Sequence, residues 1–177
     1  MFQKRNSKKE LKSEFCLNFE NGSISLNEKD IFLTSYPKSG NTWIRFLIAN
    51  LISKEEKVIN FSNINDIVPD IYKATPVQIN SLSKPRIIKS HEHFDSRYKK
   101  IIYIVRNPFQ VAVSYYHHLI KFNRIEENYP FKKYLVEFLE GEVFPKKGNW
   151  NSHVMNWLQQ SDNSGQKLLL IRYEDMV

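Results

Sequence analysis

At 177 residues, with 41% hydrophobic and 14% aromatic composition, the chain is one domain's worth of polypeptide with enough apolar side chains for a core, which excludes a disordered polymer. Its net charge of +7 is uneven: residues 1–14 hold five Lys/Arg against two Glu, leaving +4 on the other 163, which suits a site for a multiply charged anion and not a nucleic-acid partner. The single cysteine, Cys16, excludes an intrachain disulfide, and neither a signal-peptide core nor a membrane-length apolar run is present, so the expectation is a cytoplasmic protein with no membrane partner.

Residues 1–30 read as a polar N-terminal extension, with Phe15, Leu17 and Phe19 alternating as a short edge strand before a turn at Asn21-Gly22. Residues 31–177 read as one domain. It opens on an apolar strand, Ile31–Ser35, followed by the breaker cluster Tyr36-Pro37-Lys38-Ser39-Gly40. A helix then starts at Asn41 or Thr42, with Phe46, Leu47, Asn50 and Leu51 at helical spacing. Residues 53–57 read as a charged helix end or loop, and residues 64–72 as a helix capped by Asn63 or Asn65 and interrupted at Pro69. Residues 85–91 form a short strand ending in Lys89 and His91, and residues 100–105 a fully apolar one ending at Arg106-Asn107-Pro108. Asn107 and Pro108 are the cap and first turn of a helix that runs to about Phe122. Further helices over residues 131–139 and 150–159 precede a last strand over 167–172. Short apolar strands alternating with helices predict an α/β fold with a parallel sheet.

Strand, tight polar loop and helix in that order make an anion cradle, in which backbone N–H groups and the positive end of the helix dipole face whatever lies over the loop. Lys38 adds a full charge, and Ser39 and Thr42 add hydroxyl donors. The plainer reading is an ordinary βα turn. The loop is not a Walker A motif, because its lysine precedes the only glycine. A P-loop kinase is disfavoured for that reason and for want of a clear magnesium aspartate after a strand. His91, beyond a strand end where open α/β sheets bind ligands, can accept a proton from a hydroxyl or amine. Alternatively it is a surface or core histidine, or half of a metal pair with His93 that lacks a third ligand at recognisable spacing. Arg106 and Ser114 can grip a second phosphate, or serve as a structural arginine and a helix-surface serine. His117 and His118 read as structural.

The order Tyr36-Pro37-Lys38-Ser39-Gly40-Asn41-Thr42-Trp43 resembles the phosphate loop of cytosolic sulfotransferases that use 3′-phosphoadenosine 5′-phosphosulfate (PAPS), Tyr-Pro-Lys-Ser-Gly-Thr-Thr-Trp, with Asn41 as the one departure. Pro85-Arg86-Ile87-Ile88-Lys89-Ser90-His91 resembles that family's catalytic Pro-Arg-x-x-Lys-Thr-His. The stretch from Arg106 through Ser114 to Tyr116 is similar to its 3′-phosphate motif, with Gln110 in place of the usual acid. Gly148, Trp150, His153 and Trp157 match a further segment, in which Trp157 is read as core, and Tyr173-Glu174-Asp175-Met176 matches a last one.

The resemblance implies a P-loop-like three-layer α/β fold, a central parallel sheet flanked by helices, with the family's C-terminal part missing. It further implies a sulfotransferase moving the sulfonate of PAPS to a small-molecule hydroxyl or amine acceptor without a metal. In that reading His91 is the general base, Lys38 stabilises the leaving phosphate and Lys89 contacts the sulfonate. The cofactor rests on Lys38, Ser39, Gly40, Asn41, Thr42 and Trp43, its 3′-phosphate on Arg106 and Ser114, and its adenine on Trp43 and Tyr173; the rival reading of Trp43 is a core aromatic. Asn41 is expected to be tolerated, since backbone donors do most of the binding. The family's late Gly-x-x-Gly-x-x-Lys segment has no counterpart in the sequence. A catalytically silent nucleotide- or partner-binding module of the same fold is therefore the competing reading.

Overall fold

A computed structural model describes residues 16–20, 22–53 and 58–176. Four strands, β3 (Ile31–Ser35), β4 (Ile87–Ser90), β5 (Lys100–Val105) and β6 (Lys167–Arg172), form one sheet in the order β4-β3-β5-β6. All three pairings are parallel. Short apolar runs suit the inner strands, which are covered by helices, whereas the edge strand β6 is largely exposed. The helices are α1 (Asn41–Ile52), α2 (Pro76–Ser81), α3 (Pro108–Lys121), α4 (Phe131–Glu140) and α5 (Trp150–Asn163).

Register assigns the two faces. Leu33, Ile102 and Ile104 pack with Ile44 and Ile48 of α1, while Phe32, Ile88, Ile101 and Tyr103 pack with Val154 and Trp157 of α5. This sheet between two helical layers is the three-layer arrangement expected. Phe32 and Tyr98 stack face to face with ring centroids 3.5 Å apart in the second layer. The predicted stripe on α1 is corrected: Ile44, Arg45 and Ala49 are buried, whereas Leu47 and Leu51 are 44% and 76% exposed.

Residues 16–30 join the main body. β1 (Cys16–Phe19) and β2 (Gly22–Ser25) pair antiparallel as a separate two-stranded sheet, and Leu17, Ile24 and Leu26 are buried in the core with Phe32. Phe15, the first member of the expected alternation, and Asn21 of the expected turn lie outside the described residues. Arg86 fastens this region to β4. Its guanidinium donates to Asp30 Oδ2 at 2.5 Å, to the Ser25 carbonyl at 2.6 Å and to the Ile79 carbonyl at 3.1 Å. Asp30 also accepts from the Arg86 and Asn27 amides, both at 2.9 Å, so a fully buried carboxylate is satisfied on every side. The expected helix over 64–72 is a single 3-10 turn, Ile64–Asp66, and α2 occupies a stretch with no clear sequence signal.

Three helices begin on side-chain caps: Thr75 accepts from Gln78 N, Asn107 from Phe109 N and Asn149 from Ser152 N. α1 does not. Its N-cap is Gly40, with no side-chain acceptor and no acidic residue in the first turn.

Candidate functional site

The loop between β3 and α1 is held from below. The buried Tyr36 donates its hydroxyl to the Gly148 carbonyl at 3.1 Å. Asn41 turns its amide inward, donating to the carbonyls of Leu33 and Ser90 at 3.3 Å and to Ser35 Oγ at 3.2 Å, which ties β3 to β4 at their C-terminal ends. Above this floor the backbone turns sharply, with φ of +69° at Lys38 and +95° at Gly40. The first intrahelical bond runs from Ile44 N to Gly40 O at 3.1 Å, so the N–H groups of the three residues before it point out of the helix end. The Ser39 hydroxyl is fully buried and has no partner among the described residues. Free amides, an orphaned hydroxyl and an uncapped helix start fit a phosphate group.

Cations gather at the same place. The Lys38 ammonium is pushed below its ordinary range, by burial first and then by repulsion from Arg106 and Lys121. Arg106, just past β5, donates to the Lys38 carbonyl and to Gln110 Oε1, each at 3.2 Å. Its guanidinium lies 4.2 Å from the centre of the Tyr173 ring. Tyr173 in turn lies across the loop: a Cβ added at Gly40 would fall 2.3 Å from its Cδ2, so glycine is required here for space as well as for φ. Trp43 meets Tyr173 edge to face at 6.4 Å and is 44% exposed, which does not fit a core aromatic. Glu174 accepts from the Asn107 amide at 2.8 Å and anchors the 3-10 turn Tyr173–Met176 against the start of α3.

β4 supplies the remaining groups. His91 Nδ1 is 2.8 Å from the Ser35 carbonyl. A carbonyl only accepts, so Nδ1 carries the hydrogen and Nε2 keeps its lone pair. Burial, and then the charge of Lys89, pull the His91 pKa from 6.5 down to about 3, so the ring is neutral at pH 7. Lys89 itself is buried, with Nζ 2.6 Å from Asp70 Oδ2. Burial alone would raise the Asp70 carboxyl, but the charge and hydrogen bond of Lys89 hold it below its usual range. Beside His91, Tyr72 accepts from the His91 amide at 2.9 Å, stacks on its ring at 6.2 Å and donates to Glu92 at 2.7 Å. Lys147 closes on the same Glu92 oxygen at 2.7 Å.

A phosphate cradle, an arginine at the next strand end and a neutral imidazole share the C-terminal edge of one parallel sheet. The family model for the sulfotransferase domain matches residues 28–177 of this chain. The chain belongs to the sulfotransferase family. It is 30% identical over 161 residues to sulfotransferase 1E1 of Bos taurus, covering 83% of this chain and 53% of that protein. It is 34% identical over 171 residues to flavonol 3-sulfotransferase of Flaveria bidentis, covering 87% and 54%. Mouse sulfotransferase SULT7A1, solved in complex with PAP, superposes with a TM-score of 0.66 at 28% identity over 86% of this chain and 54% of that one. The chain thus spans about half the length of the curated relatives it matches.

Within this sulfotransferase domain the sequence-predicted residues divide. Lys38, Ser39, Gly40, Thr42, Trp43, Arg106 and Tyr173 converge on the β3–α1 loop, and His91 stands at the next strand end. Asn41 contributes its backbone there while its side chain serves the sheet. Lys89 lies on the α1 face of the sheet, paired with Asp70. Ser114 is half-buried on α3. Gln110 and His118 stand one helical turn before and after it, and they bond Arg106 and Lys38 respectively, which directs that face of α3 towards the loop.

His118, read from sequence as structural, lies beside the loop. Its Nδ1 lies 3.4 Å from Lys38 Nζ, and burial followed by the charges of Lys38 and Lys121 keep it below its ordinary pKa. The four-residue spacing from Ser114 was the available signal. Asp70 carried none, since its partner Lys89 lies 19 residues away, beyond α2. No cluster of three or more metal-ligating side chains occurs among the described residues.

Proposed function

We propose that this domain transfers a sulfonate group from PAPS to the hydroxyl or amine of a small-molecule acceptor. The observation that carries the reading is the juxtaposition of an uncapped, positively charged loop with an imidazole whose free nitrogen is Nε2. PAPS, when bound, supplies an activated sulfonate on a phosphate leaving group. Everything else falls to the chain's own residues. The amides before Ile44, with Ser39 and Lys38, hold the 5′-phosphate end, and Arg106 with Ser114 holds the 3′-phosphate. Trp43 and Tyr173 flank the adenine.

His91 accepts the acceptor's proton at Nε2 as the new oxygen–sulfur or nitrogen–sulfur bond forms. Lys38 meets the negative charge that builds on the departing phosphate. Fixed donors aimed at developing charge each contribute on the order of 3 kcal/mol of barrier lowering. Lys89 faces the sulfonate only if it leaves Asp70, so its part is the costliest in this scheme. Relatives named for steroids and flavonols support a hydroxyl-bearing acceptor.

The test is transfer of labelled sulfonate from PAPS to a panel of phenols, alcohols and amines by the full 177-residue chain. Turnover is expected to vanish in Lys38→Ala and His91→Ala, with adenosine 3′,5′-bisphosphate binding better preserved in the histidine variant. Wild-type rates in either variant would reject the assigned roles. Nucleotide binding with no transfer to any acceptor would favour the silent binding module.

A further inference from the structure

We propose that His118 is a proton-linked member of the phosphate site. As a neutral imidazole it holds the Lys38 ammonium; when a phosphate anion draws Lys38 onto itself, His118 takes up a proton and becomes a further cation of the grip. The proposal deepens the reading of the β3–α1 loop as a phosphate cradle and rests on that reading, not on sulfonate transfer.

The contact between the two side chains fixes where the protons are. Lys38 Nζ lies 3.4 Å from His118 Nδ1. An ammonium only donates, so Nδ1 accepts and the ring's single hydrogen sits on Nε2. His118 is neutral while this contact lasts, because a protonated imidazole has no lone pair to offer. Its own helix holds the ring in place: it stacks on Tyr115 at 5.8 Å and meets Phe122 at 4.5 Å. It shares a helical face with Ser114 and Gln110, and Gln110 accepts from Arg106. The ring therefore stands beside the groups proposed to hold the second phosphate.

Charge decides when the proton arrives. From the loop His118 faces Lys38, on which Arg106 also acts from the end of β5, and from its own helix it faces Lys121. Glu174 acts on Arg106 from the Tyr173–Met176 turn, but its carboxylate accepts from the Asn107 amide. Among the described residues no ion pair joins Lys38, Arg106 or Lys121 to an acid. Burial, and then the charges of Lys38 and Lys121, keep a proton off His118. A phosphate dianion brought to these cations reverses the sign of the field at the ring. A site that refuses a proton when free and accepts one when occupied must take that proton up on binding. Its affinity then rises as pH falls through the range where histidine titrates.

The experiment is calorimetric titration of the full chain with adenosine 3′,5′-bisphosphate in buffers of contrasting ionisation enthalpy, which counts the protons exchanged on binding. The ligand's own phosphates titrate in the same range, so the readout is the difference between wild type and His118→Asn. Asparagine keeps a hydrogen-bond acceptor for Lys38 but cannot be protonated. Near pH 6.5 wild type is expected to take up about half a proton more than the variant, and between pH 7.5 and pH 6 its affinity should gain about threefold over the variant's. His117→Asn is the control: His117 is exposed on the same helix and should leave both quantities as in wild type. Imidazole NMR on the labelled wild-type chain needs no variant. His118 should be neutral with its hydrogen on Nε2, and the bisphosphate should shift it towards the protonated form. Equal proton counts in wild type and His118→Asn, a hydrogen on Nδ1 before ligand is added, or a ring unmoved by bound bisphosphate would each overturn the proposal. A chain that does not bind the bisphosphate overturns both the proposal and the phosphate reading beneath it, whereas binding without transfer counts only against sulfonate transfer.

Discussion

Gly40 carries two constraints at one position: a φ of +95° that side chains resist, and a Tyr173 ring where a Cβ would go. Gly40→Ala is therefore expected to lower stability by roughly 1–3 kcal/mol and to weaken nucleotide binding by displacing Tyr173. A urea titration and a binding isotherm of the variant check both, and an unchanged isotherm would show that Tyr173 does not depend on the loop. Asn41 poses the converse case. From sequence it was a tolerated departure in a loop that binds through its backbone. Its buried amide instead links the ends of β3 and β4. Asn41→Ala is predicted to cost about 1–3 kcal/mol of stability through the lost buried bonds, with a smaller effect on nucleotide affinity. A larger loss of affinity than of stability would contradict that division of labour.

The elements were legible where local chemistry decides them. Apolar strand runs, the Tyr36–Gly40 breaker cluster and the Asn107-Pro108 cap all act within a few residues, and the corresponding β3, α1 and α3 are present. Which face of α1 is buried was not legible. Phe46, Leu47, Asn50 and Leu51 share one helical stripe, but the helix is docked by Ile44 against the sheet and by Ala49 against Ile64 and Val68, a choice made by tertiary packing. The same limit hid the role of Arg86, read as part of a motif and found to bind Asp30, Ser25 and Ile79 across three separate elements. Removing one partner of a buried ion pair leaves an uncompensated charge, so Asp30→Ala should cost about 3–5 kcal/mol. Chemical denaturation measures it, and a loss under 1 kcal/mol would mean that the pair is dispensable.

At the scale of the whole molecule, the alternation through Leu17 and Phe19 marked a strand where β1 lies, but nothing in the polar first 30 residues showed that Leu17, Ile24 and Leu26 would be buried in the core. The site assembled from distant segments was legible only as motifs in order; the contacts among them, such as Lys38 with His118, depend on how α3 lies over the loop. One buried histidine, His153, and one half-buried histidine, His91, give the molecule a pH signature. His91 and His153 are held at about 3 and about 4, against 6.5 when exposed, by burial before any other cause. The unfolded chain thus takes up protons below pH 6.5 that the folded chain refuses, so stability must fall as pH drops from about 6.5 towards 4. His153 alone should contribute on the order of 2 kcal/mol between pH 7.5 and pH 5, and His91 adds in the same direction. Urea titrations at the two pH values test this, and a His153→Gln variant should show a shallower dependence than wild type.

The central claim is that the loop and Arg106 together grip a nucleotide bearing two phosphates. Calorimetric titration of the full chain with adenosine 3′,5′-bisphosphate addresses it most directly. One equivalent should bind, and Lys38→Ala and Arg106→Ala should each weaken binding by about tenfold or more. A wild-type chain that does not bind the bisphosphate, or one whose affinity is unmoved by both substitutions, would contradict the account.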